Sequence, residues 1–391
     1  MTETMTNEVA SEVNLEEQIG SESSAAVEKK SATEEKPAVE EKYVAYVSSY
    51  TNGTGDKFGI RVYDVDIKNG RMTEKSKIKI TNSSYVTESK NKKYLYSITD
   101  FGVEAYDIKK DGTLSLINEA SINGMRGCYL STDYEDKFLF CAGYHDGKIT
   151  VLRLNEDGSI GEITEEIYQK GLGSAAGRNH RPHVQCVRMT KDNKFLCACD
   201  LGMDRINVYK LNHETGRLEN ADVIHCDQES APRHIKFSET GEFIYVLTEQ
   251  KNSIDVYHYR VDDHDIPDFE RIQSMSTIDD PDAQGIASSA LMFSLDYNYL
   301  VTSNLGENFV DIYRADKRTG KLKKILGLPI SGEYPKDAAL FPDNKHLVSL
   351  NHESNTMTFF NVNMAQGIIV MNGPEISVDQ PNCIVFHKIE G

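Results

Sequence analysis

Three side chains of this sequence could do chemistry together if the fold brings them to one place: Arg233, Glu249 and His183. A guanidinium holds a carboxylate, a phosphate or a carbonyl oxygen through two parallel hydrogen bonds. A carboxylate or an imidazole takes a proton from water or from a substrate carbon. An Arg–Glu pair that only fixes protein structure uses the same groups, so residue type alone leaves both interpretations open.

The elements that must position these residues are indicated by a pattern that occurs seven times. It reads G-x-h-x-V-Y-x-h and then G-x-L, where h is apolar, and its aromatic or leucine position falls on Tyr63, Tyr106, Leu152, Tyr209, Tyr257, Tyr313 and Phe360. Successive copies are 43, 46, 57, 48, 56 and 47 residues apart. A repeat near 50 residues is typical of propellers and solenoids. The unit contains short strands without helical periodicity, which favours a propeller.

One repeat, residues 232–276, divides into four short strands separated by turns. The same division applies along the chain and gives inner strands that begin at Tyr85, Arg126, Pro182, Pro232, Ser288, Pro335 and Pro381. We therefore predict an all-β fold, a seven-bladed β-propeller of four-stranded antiparallel blades. The propeller begins at about Tyr43 with a second strand and ends with an inner strand. The C-terminal strand must then join the N-terminal blade and leave no free sheet edge.

In such a blade the start of the inner strand and the end of the second strand emerge on one face. Arg233 and Glu249 occupy these two positions in one blade, so we expect them side by side at the mouth of the channel. His183 comes from the preceding blade, and Asp200 is placed to orient it or to bind a sugar hydroxyl. By the same argument, four further residues are candidates for substrate binding: Arg181, Lys336, Asn304 and Asn351. His180 lies in the loop before the inner strand that begins at Pro182.

Residues 1–42 differ in composition from the rest of the 391 residues. They contain 11 Asp or Glu, 4 Lys and no aromatic residue. Such a segment buries too little apolar surface to offset the entropy of ordering it. We predict a disordered acidic tail, either for recruiting an unknown partner or without a function, and a domain over residues 43–391.

Charge and composition exclude several classes of function. The formal net charge of −18 argues against nucleic acid and anionic membranes as partners, and no apolar stretch is long enough for a membrane span. The seven cysteines are odd in number, and no signal peptide is recognisable, which argues against a disulfide framework and for a cytoplasmic protein. Neither metal-ligand spacing nor a phosphate-binding glycine loop is present, so we expect no metal and no cofactor.

Two segments resemble a known family. Ala231-PRHIKFSETGEFIYVLTEQKNSIDVY resembles its pattern G-P-R-H-h-x-F-x-P-x-G-x-x-h-Y-h-x-x-E, and Lys194-FLCACDLGMDRINVY resembles F-L-x-x-x-D-L-G-x-D-R-h-x-x-Y. The family is that of the seven-bladed lactonases, which includes 6-phosphogluconolactonase and carboxymuconate lactonizing enzyme. The resemblance extends over residues 43–391.

The resemblance implies that Arg233 and Glu249 are active residues, together with a histidine that opens the fourth blade. The family pattern P-h-x-H places its second histidine on Gln185, whereas His183 matches its first histidine; we add Gln185 to the substrate-binding candidates. A further arginine of the family, in S-N-R-G, is replaced here by Leu305. Gln185 and Leu305 are thus departures from the family pattern.

The resulting hypothesis is a lactonase-like hydrolase that opens a sugar-acid lactone, with 6-phosphogluconolactone as a candidate substrate. A phosphate on the substrate would require further cations, for which Arg178, Arg181 and Lys336 are available. Two alternatives stay open. One is a non-catalytic propeller that binds a sugar acid or a protein partner, and the other is a muconate-type lactonizing enzyme with the same Arg–Glu pair.

Overall fold

The computed structural model describes residues 41–51, 57–173, 181–280 and 283–389. A short 3-10 helix spans Leu201–Met203. The strands of the described residues, in chain order, are β1 (Lys42–Ser49), β2 (Ile60–Asp66), β3 (Arg71–Ile78), β4 (Val86–Glu88), β5 (Tyr94–Ile98), β6 (Gly102–Ile108), β7 (Leu114–Ser121), β8 (Tyr129–Thr132), β9 (Phe138–Gly143), β10 (Lys148–Leu154), β11 (Ile160–Tyr168), β12 (Val184–Met189), β13 (Phe195–Asp200), β14 (Arg205–Leu211), β15 (Leu218–His225), β16 (Pro232–Phe237), β17 (Phe243–Thr248), β18 (Ser253–Val261), β19 (Pro267–Ser276), β20 (Ala287–Phe293), β21 (Tyr299–Leu305), β22 (Phe309–Ala315), β23 (Leu322–Pro329), β24 (Pro335–Leu340), β25 (His346–Asn351), β26 (Thr356–Asn363), β27 (Ile368–Met371), β28 (Ile376–Ser377) and β29 (Pro381–Ile389).

These strands form seven antiparallel sheets, which are the blades of a propeller. Blade 1 has the order β29-β1-β2-β3, and blades 2 to 6 follow as β4–β7, β8–β11, β12–β15, β16–β19 and β20–β23. Blade 7 is β24-β25-β26-β27, with β28 also paired to β26. The first strands contact one another in the closed sequence β4, β8, β12, β16, β20, β24, β29 and back to β4. The seven-bladed architecture predicted from the repeat is confirmed.

The ring closes through both ends of the described chain. Strand β29 pairs with β1 from Lys42↔Ile389 to Ser49↔Pro381, so the C-terminal strand completes the N-terminal blade as predicted. Since Lys42 already belongs to β1, the propeller begins one residue before the predicted boundary. The rest of the predicted tail, residues 1–40, lies outside the described residues.

The hydrophobic core lies between neighbouring blades. Every residue of Phe138–Gly143, Phe195–Asp200 and Phe243–Thr248 is buried, since each of these second strands is covered on both sheet faces. The fourth strands are exposed or half-buried along most of their length and form the outer rim; Leu218–His225 has one buried residue. The predicted inner strand at Arg126 is shorter than expected and starts at Tyr129. Here Gly127 passes so close to β9 that a Cβ would lie 2.5 Å from Cys141 Sγ, which leaves no regular ladder.

The repeated aromatic position coincides with a β-bulge. In blades 1 to 6 the pairing of the third and fourth strands shifts register immediately before it, as at Val62/Tyr63 and Val256/Tyr257. In blade 7 the fourth strand divides into β27 and β28 before Phe360. A β-bulge increases local twist, so its recurrence gives each blade the same bend.

The glycine of the G-x-L part joins adjacent blades. Gly158 has φ +80, and a Cβ there would lie 2.3 Å from the Tyr94 ring of the preceding blade, so both backbone and space require glycine. The Tyr96 hydroxyl donates a hydrogen bond to the Gly158 carbonyl oxygen at 3.2 Å. Blade 5 lacks this glycine. Its turn places Asp265 at φ 60, and the carboxylate pairs with Lys194 of blade 4 at 2.7 Å.

Deletion of residues 381–391 should abolish cooperative folding, because it exposes the edge of β1 and opens the ring. We expect loss of the thermal transition and aggregation at micromolar concentration, measured by circular dichroism and light scattering. Deletion of residues 390–391, which follow β29, is the control and should leave the transition unchanged. A soluble, cooperatively melting protein after the longer deletion would show that closure by β29 is dispensable.

Candidate active site

Five inner strands have a register shift near their start, and in four of them it leaves a single residue without a partner in the sheet. The pairing shifts register around Asn382 in blade 1, Gln185 in blade 4, Arg233 in blade 5 and Lys336 in blade 7. A bulge of this kind turns a side chain away from its normal direction and is frequent next to active sites. Each of these strands starts at or near a proline, which has no N–H to give to a ladder. The bulged residues therefore sit at corresponding heights around the channel.

All four bulged residues line one narrow cavity of about 40 Å³ inside the channel. It lies below the end of the channel where the inner strands begin, which we call the first mouth. His234 also lines it, although alternation along a strand would place His234 opposite Arg233. The bulge between Pro232 and His234 cancels this alternation, so both side chains reach the channel.

Arg233 and Glu249 form an ion pair at the first mouth, as their positions in one blade predict. Nη1 of Arg233 donates to Oε2 of Glu249. Blade 6 holds the other side of the guanidinium, because Nε donates to the Ser289 carbonyl oxygen at 3.1 Å and Nη2 to Ser289 Oγ at 3.3 Å. Arg233 is 7% exposed, so its orientation is fixed by partners on three sides. A planar guanidinium held in this way keeps a fixed geometry toward a ligand.

Lys336 provides a second cation beside this pair. Ser289 Oγ, which accepts from Arg233, also donates to the Lys336 carbonyl oxygen at 3.0 Å, and Lys336 Nζ lies 5.3 Å from the centre of the Tyr334 ring. Burial and then the Arg233 guanidinium lower the pKa of Lys336 to about 8, while Glu249 opposes this shift. Arg233, Lys336 and Glu249 thus bring two cations and one carboxylate together at the first mouth.

His183 is held by blades 3 and 4. Its ring stacks on Tyr144, with centroids 4.3 Å apart and an interplanar angle of 20°. Nδ1 lies 2.8 Å from the Tyr144 carbonyl oxygen. A carbonyl oxygen only accepts, so Nδ1 carries the proton and Nε2 of the neutral ring is an acceptor. Among the described residues Nε2 has no hydrogen-bond partner.

Asp200 fixes His183 through the backbone rather than through the ring. Its Oδ1 accepts the His183 N–H at 2.9 Å. The Asp200 side chain is fully buried, and this burial raises its pKa. Asp200 therefore fixes the backbone at His183 from inside the blade, and its predicted role toward the His183 ring or a sugar hydroxyl stays a prediction.

The family motif D-L-G-x-D joins the fourth and fifth blades. Gly202 lies against the loop before His183, where a Cβ would be 1.9 Å from the Arg181 carbonyl oxygen. Asp204 has left-handed backbone with φ 49, and its two carboxylate oxygens accept the N–H groups of Glu229 and Ala231, both at 2.8 Å. These bonds fix the turn that leads into Arg233. One motif therefore positions both His183 and Arg233.

Three other predicted substrate-binding residues take different positions. Asn304 is buried and bonded to Ser288 at 2.8 Å and to the Thr277 carbonyl oxygen at 2.8 Å. Asn351 is buried and bonded within blade 7, to Thr356 and Thr358 at 3.2 Å each. Their amides thus join strands, whereas Arg181 is exposed at the rim. Leu305, at the position of the family arginine, is buried at the end of β21. Arg178 and His180 lie outside the described residues.

The structure adds residues that were not among the predicted site residues. Arg126 stands over the Tyr50 ring at 4.7 Å and pairs with Asp100 at 3.1 Å, near the first mouth. The sequence could have indicated Arg126, because it lies at the start of a predicted inner strand, as Arg233 does. The contribution of Ser289 depends on contact between blades 5 and 6, which no spacing within one repeat reveals.

Comparison with known proteins identifies the family of this chain. The family described as "Lactonase, 7-bladed beta-propeller" matches residues 44–386. The chain therefore belongs to the seven-bladed β-propeller lactonase family. No helix of the described residues has the length and hydropathy to cross a membrane.

Relatives with assigned names support a lactone-hydrolysing function. The chain is 29% identical over 355 residues to a 6-phosphogluconolactonase of Bacillus subtilis, covering 89% of this chain and 99% of the relative. A crystal structure of a candidate 6-phosphogluconolactonase from Bacteroides fragilis superposes with a TM-score of 0.78 at 28% identity, covering 88% and 98% of the two chains. The periplasmic gluconolactonase PpgL of Pseudomonas aeruginosa, at 23% identity and a TM-score of 0.81, shares the fold over 89% of this chain and 100% of that one.

Replacement of Asp204 should test the anchor before Arg233. Asp204→Ala removes both acceptors, and we expect the free energy of unfolding to fall by about 1–3 kcal/mol in urea denaturation. Asp204→Asn keeps one acceptor oxygen, and asparagine tolerates left-handed backbone, so the free energy of unfolding should fall clearly less in this variant. Asp263→Ala, at an exposed turn residue without a hydrogen bond in the described chain, is the control. Equal destabilisation by both Asp204 variants would contradict the anchor.

Proposed function

We propose that this protein is a lactonase that opens a sugar-acid lactone at the first mouth, with 6-phosphogluconolactone as its substrate. The observation that carries the proposal is the ion pair of Arg233 and Glu249, fixed by Ser289 and directed into the channel. Family membership and the named relatives support the same chemistry. The cytoplasmic location stays a prediction.

The reaction requires water to attack the lactone carbonyl carbon. In our proposal Nε2 of His183 accepts the proton of the water while its oxygen bonds to that carbon, and the carbonyl oxygen becomes an oxyanion. Arg233 stabilises the oxyanion by charge-assisted hydrogen bonds. Collapse of this intermediate breaks the bond to the ring oxygen. The proton on His183 passes to this leaving oxygen and yields the open hydroxy acid.

Glu249 keeps Arg233 in position in this scheme. Its carboxylate already accepts from Nη1 of Arg233, and a fixed donor loses little entropy when the transition state forms. Nε2 of His183 is the better general base, because Nδ1 is engaged by the Tyr144 carbonyl oxygen and holds the ring in the required tautomer.

The cations of the first mouth suit an anionic substrate. Lys336 faces the channel beside Arg233, and Arg181 lies exposed at the rim. A phosphate ester carries about two negative charges at neutral pH and three acceptor oxygens. We propose that Lys336 attracts this group and that Gln185 and Asn382, which line the same cavity, bind polar atoms of the substrate.

Substitution of Arg233 tests the proposed oxyanion contact. Arg233→Ala should lower kcat for 6-phosphogluconolactone by about 10²- to 10³-fold, because one preformed donor to the oxyanion is lost. The rate is measured after subtraction of spontaneous hydrolysis. Arg314→Ala, at an exposed position on blade 6, is the matched control and should keep the wild-type rate.

The same assay separates the alternatives. His183→Gln should lower kcat by about 10²-fold or more, and Glu249→Gln should lower it less if its role is to position Arg233. Full activity in Arg233→Ala would remove Arg233 from the mechanism. Micromolar binding of gluconate without any turnover of a lactone panel would favour the non-catalytic propeller. Lactonization of muconate without lactone hydrolysis would favour the reverse chemistry.

The depressed pKa of Lys336 predicts a specific pH dependence. As the pH rises through about 8, free Lys336 loses its proton and its attraction for a phosphorylated substrate. We expect kcat/KM for 6-phosphogluconolactone to fall above this pH and to fall less for uncharged gluconolactone. Lys336→Met should remove the difference between the two substrates. If kcat/KM of the wild-type protein fell equally for both substrates at alkaline pH, Lys336 would not contribute to recognition of the phosphate group.

A further inference from the structure

The opposite end of the channel, where the inner strands end, has a second cavity of about 380 Å³. We call it the second mouth. Its lining includes five cationic side chains and one carboxylate: Lys90, Lys92, Arg188, Lys191, Lys236 and Glu88. This excess of positive charge contrasts with the net charge of −18 of the whole chain.

The carboxylate of the second mouth is already engaged. Glu88 Oε1 lies 2.7 Å from Nδ1 of His387 on β29, and Oε2 accepts from Lys92. The side chain of Glu88 is 4% exposed. Glu88 therefore compensates the positive charge of Lys92. Among the described residues it forms no salt bridge with the other cations of the second mouth.

A second acid nearby, Asp136, is bound by the backbone. Its oxygens accept the N–H groups of Lys90 and Asn91 at 2.7 and 2.8 Å. Among the described residues no salt bridge is formed by Lys90, Arg188, Lys191 or Lys236.

Neutral aromatic groups hold these cations in place. Lys90 Nζ lies 4.6 Å from the centre of the Tyr134 ring, and Lys191 Nζ lies 4.9 Å from that of Tyr297 and donates to its hydroxyl at 3.1 Å. Arg188 Nη1 donates to a further tyrosine hydroxyl, that of Tyr129, at 3.2 Å. Cation–π contacts and phenols orient a cation, but they do not neutralise its charge.

This arrangement is unfavourable without an anion. Burial and then the Arg188 guanidinium lower the pKa of Lys236 to about 8 and that of Lys90 to about 7, although Asp337 opposes the shift at Lys236 and Asp136 opposes it at Lys90. Lys236 is 8% exposed. Uncompensated buried charge destabilises a fold, and apolar side chains of similar volume would serve a purely structural role better. The cations are better explained by a ligand that supplies negative charge.

We propose that the second mouth is a binding site for a small organic phosphate ester. A phosphate monoester brings about two negative charges and three acceptor oxygens, whereas a carboxylate brings one charge. The Arg188 guanidinium suits two phosphate oxygens at once. The organic part would lie on the apolar wall formed by Phe293 and Phe386. A cavity of this size is typical of small-molecule sites.

The second mouth is separate from the proposed active site. Tyr85, Lys236 and Met292 line both cavities and stand between them. The inference therefore does not rest on the lactonase proposal, and a second mouth that binds phosphate esters is compatible with either outcome of the activity assays.

Calorimetry on the full chain with phenyl phosphate and benzoate tests the proposal. The two probes share a ring and differ in the anionic group. We expect one phenyl phosphate per chain, bound at least tenfold more tightly than benzoate, and weaker at high salt. Equal affinity for the two probes, or no binding of phenyl phosphate at millimolar concentration, would overturn the proposal.

Substitutions locate the bound probe. Lys90→Met and Lys191→Met together should weaken phenyl phosphate binding by roughly tenfold or more, since two charged partners are lost. Lys336→Met, at the first mouth, should leave this affinity within about twofold. The opposite result would place the probe at the first mouth. Thermal melting by circular dichroism confirms that each variant is folded.

Proton uptake gives a test without substitutions. At pH 8 Lys90 is largely neutral because its pKa is about 7, set by burial, by Arg188, by Lys92 and Lys191, and against them by Asp136. A phosphate beside Lys90 favours the charged form, so binding should take up protons. The binding enthalpy should then depend on the ionisation enthalpy of the buffer. Absence of uptake at pH 8 would show that the anion does not contact Lys90.

Discussion

The pairing of β29 with β1 is the interaction on which the rest of this structure depends. All seven cysteines of this propeller are free, so no disulfide joins its blades, and the ladder between Lys42↔Ile389 and Ser49↔Pro381 converts an open array into a ring. The ring in turn keeps the seven inner strands in contact around one channel. Residues from different blades, such as Arg233 and Ser289, can meet only because that geometry is fixed. The tyrosine–glycine bonds between blades add local support to the same closure.

The chemistry of the channel arises from irregularities in otherwise regular sheets. Bulges at the start of four inner strands turn Asn382, Gln185, Arg233 and Lys336 into the channel. The D-L-G-x-D motif fixes the approach of two neighbouring blades and thereby sets the positions of His183 and Arg233. The regular strands thus stabilise the fold, and the bulges place polar side chains in the channel. The two ends of the channel differ because one presents bulged strand starts and the other presents lysines that follow the strand ends.

The sequence predicted the number of blades and their closure, because every repeat contains the same strand pattern and the two chain ends complete one blade. The adjacency of Arg233 and Glu249 followed from topology alone. Bulges were not predictable, since an extra residue is recognisable only when two strands are paired. Spacing also could not show that Asn304 and Asn351 turn inward and bond within the sheets. The cations of the second mouth come from three blades and become one cluster only when the ring is closed.

A bulged residue separates the identity of a side chain from the stability of its sheet. Since Gln185, Arg233 and Lys336 have no partner in the ladder, exchange of one of them changes the side chain that lines the channel while the backbone pairing around it persists. At Gln185 and Lys336 a single codon change can therefore alter the groups that face the channel while the sheet persists. The inner ring of this propeller is therefore a natural place for substrate preference to diverge during evolution.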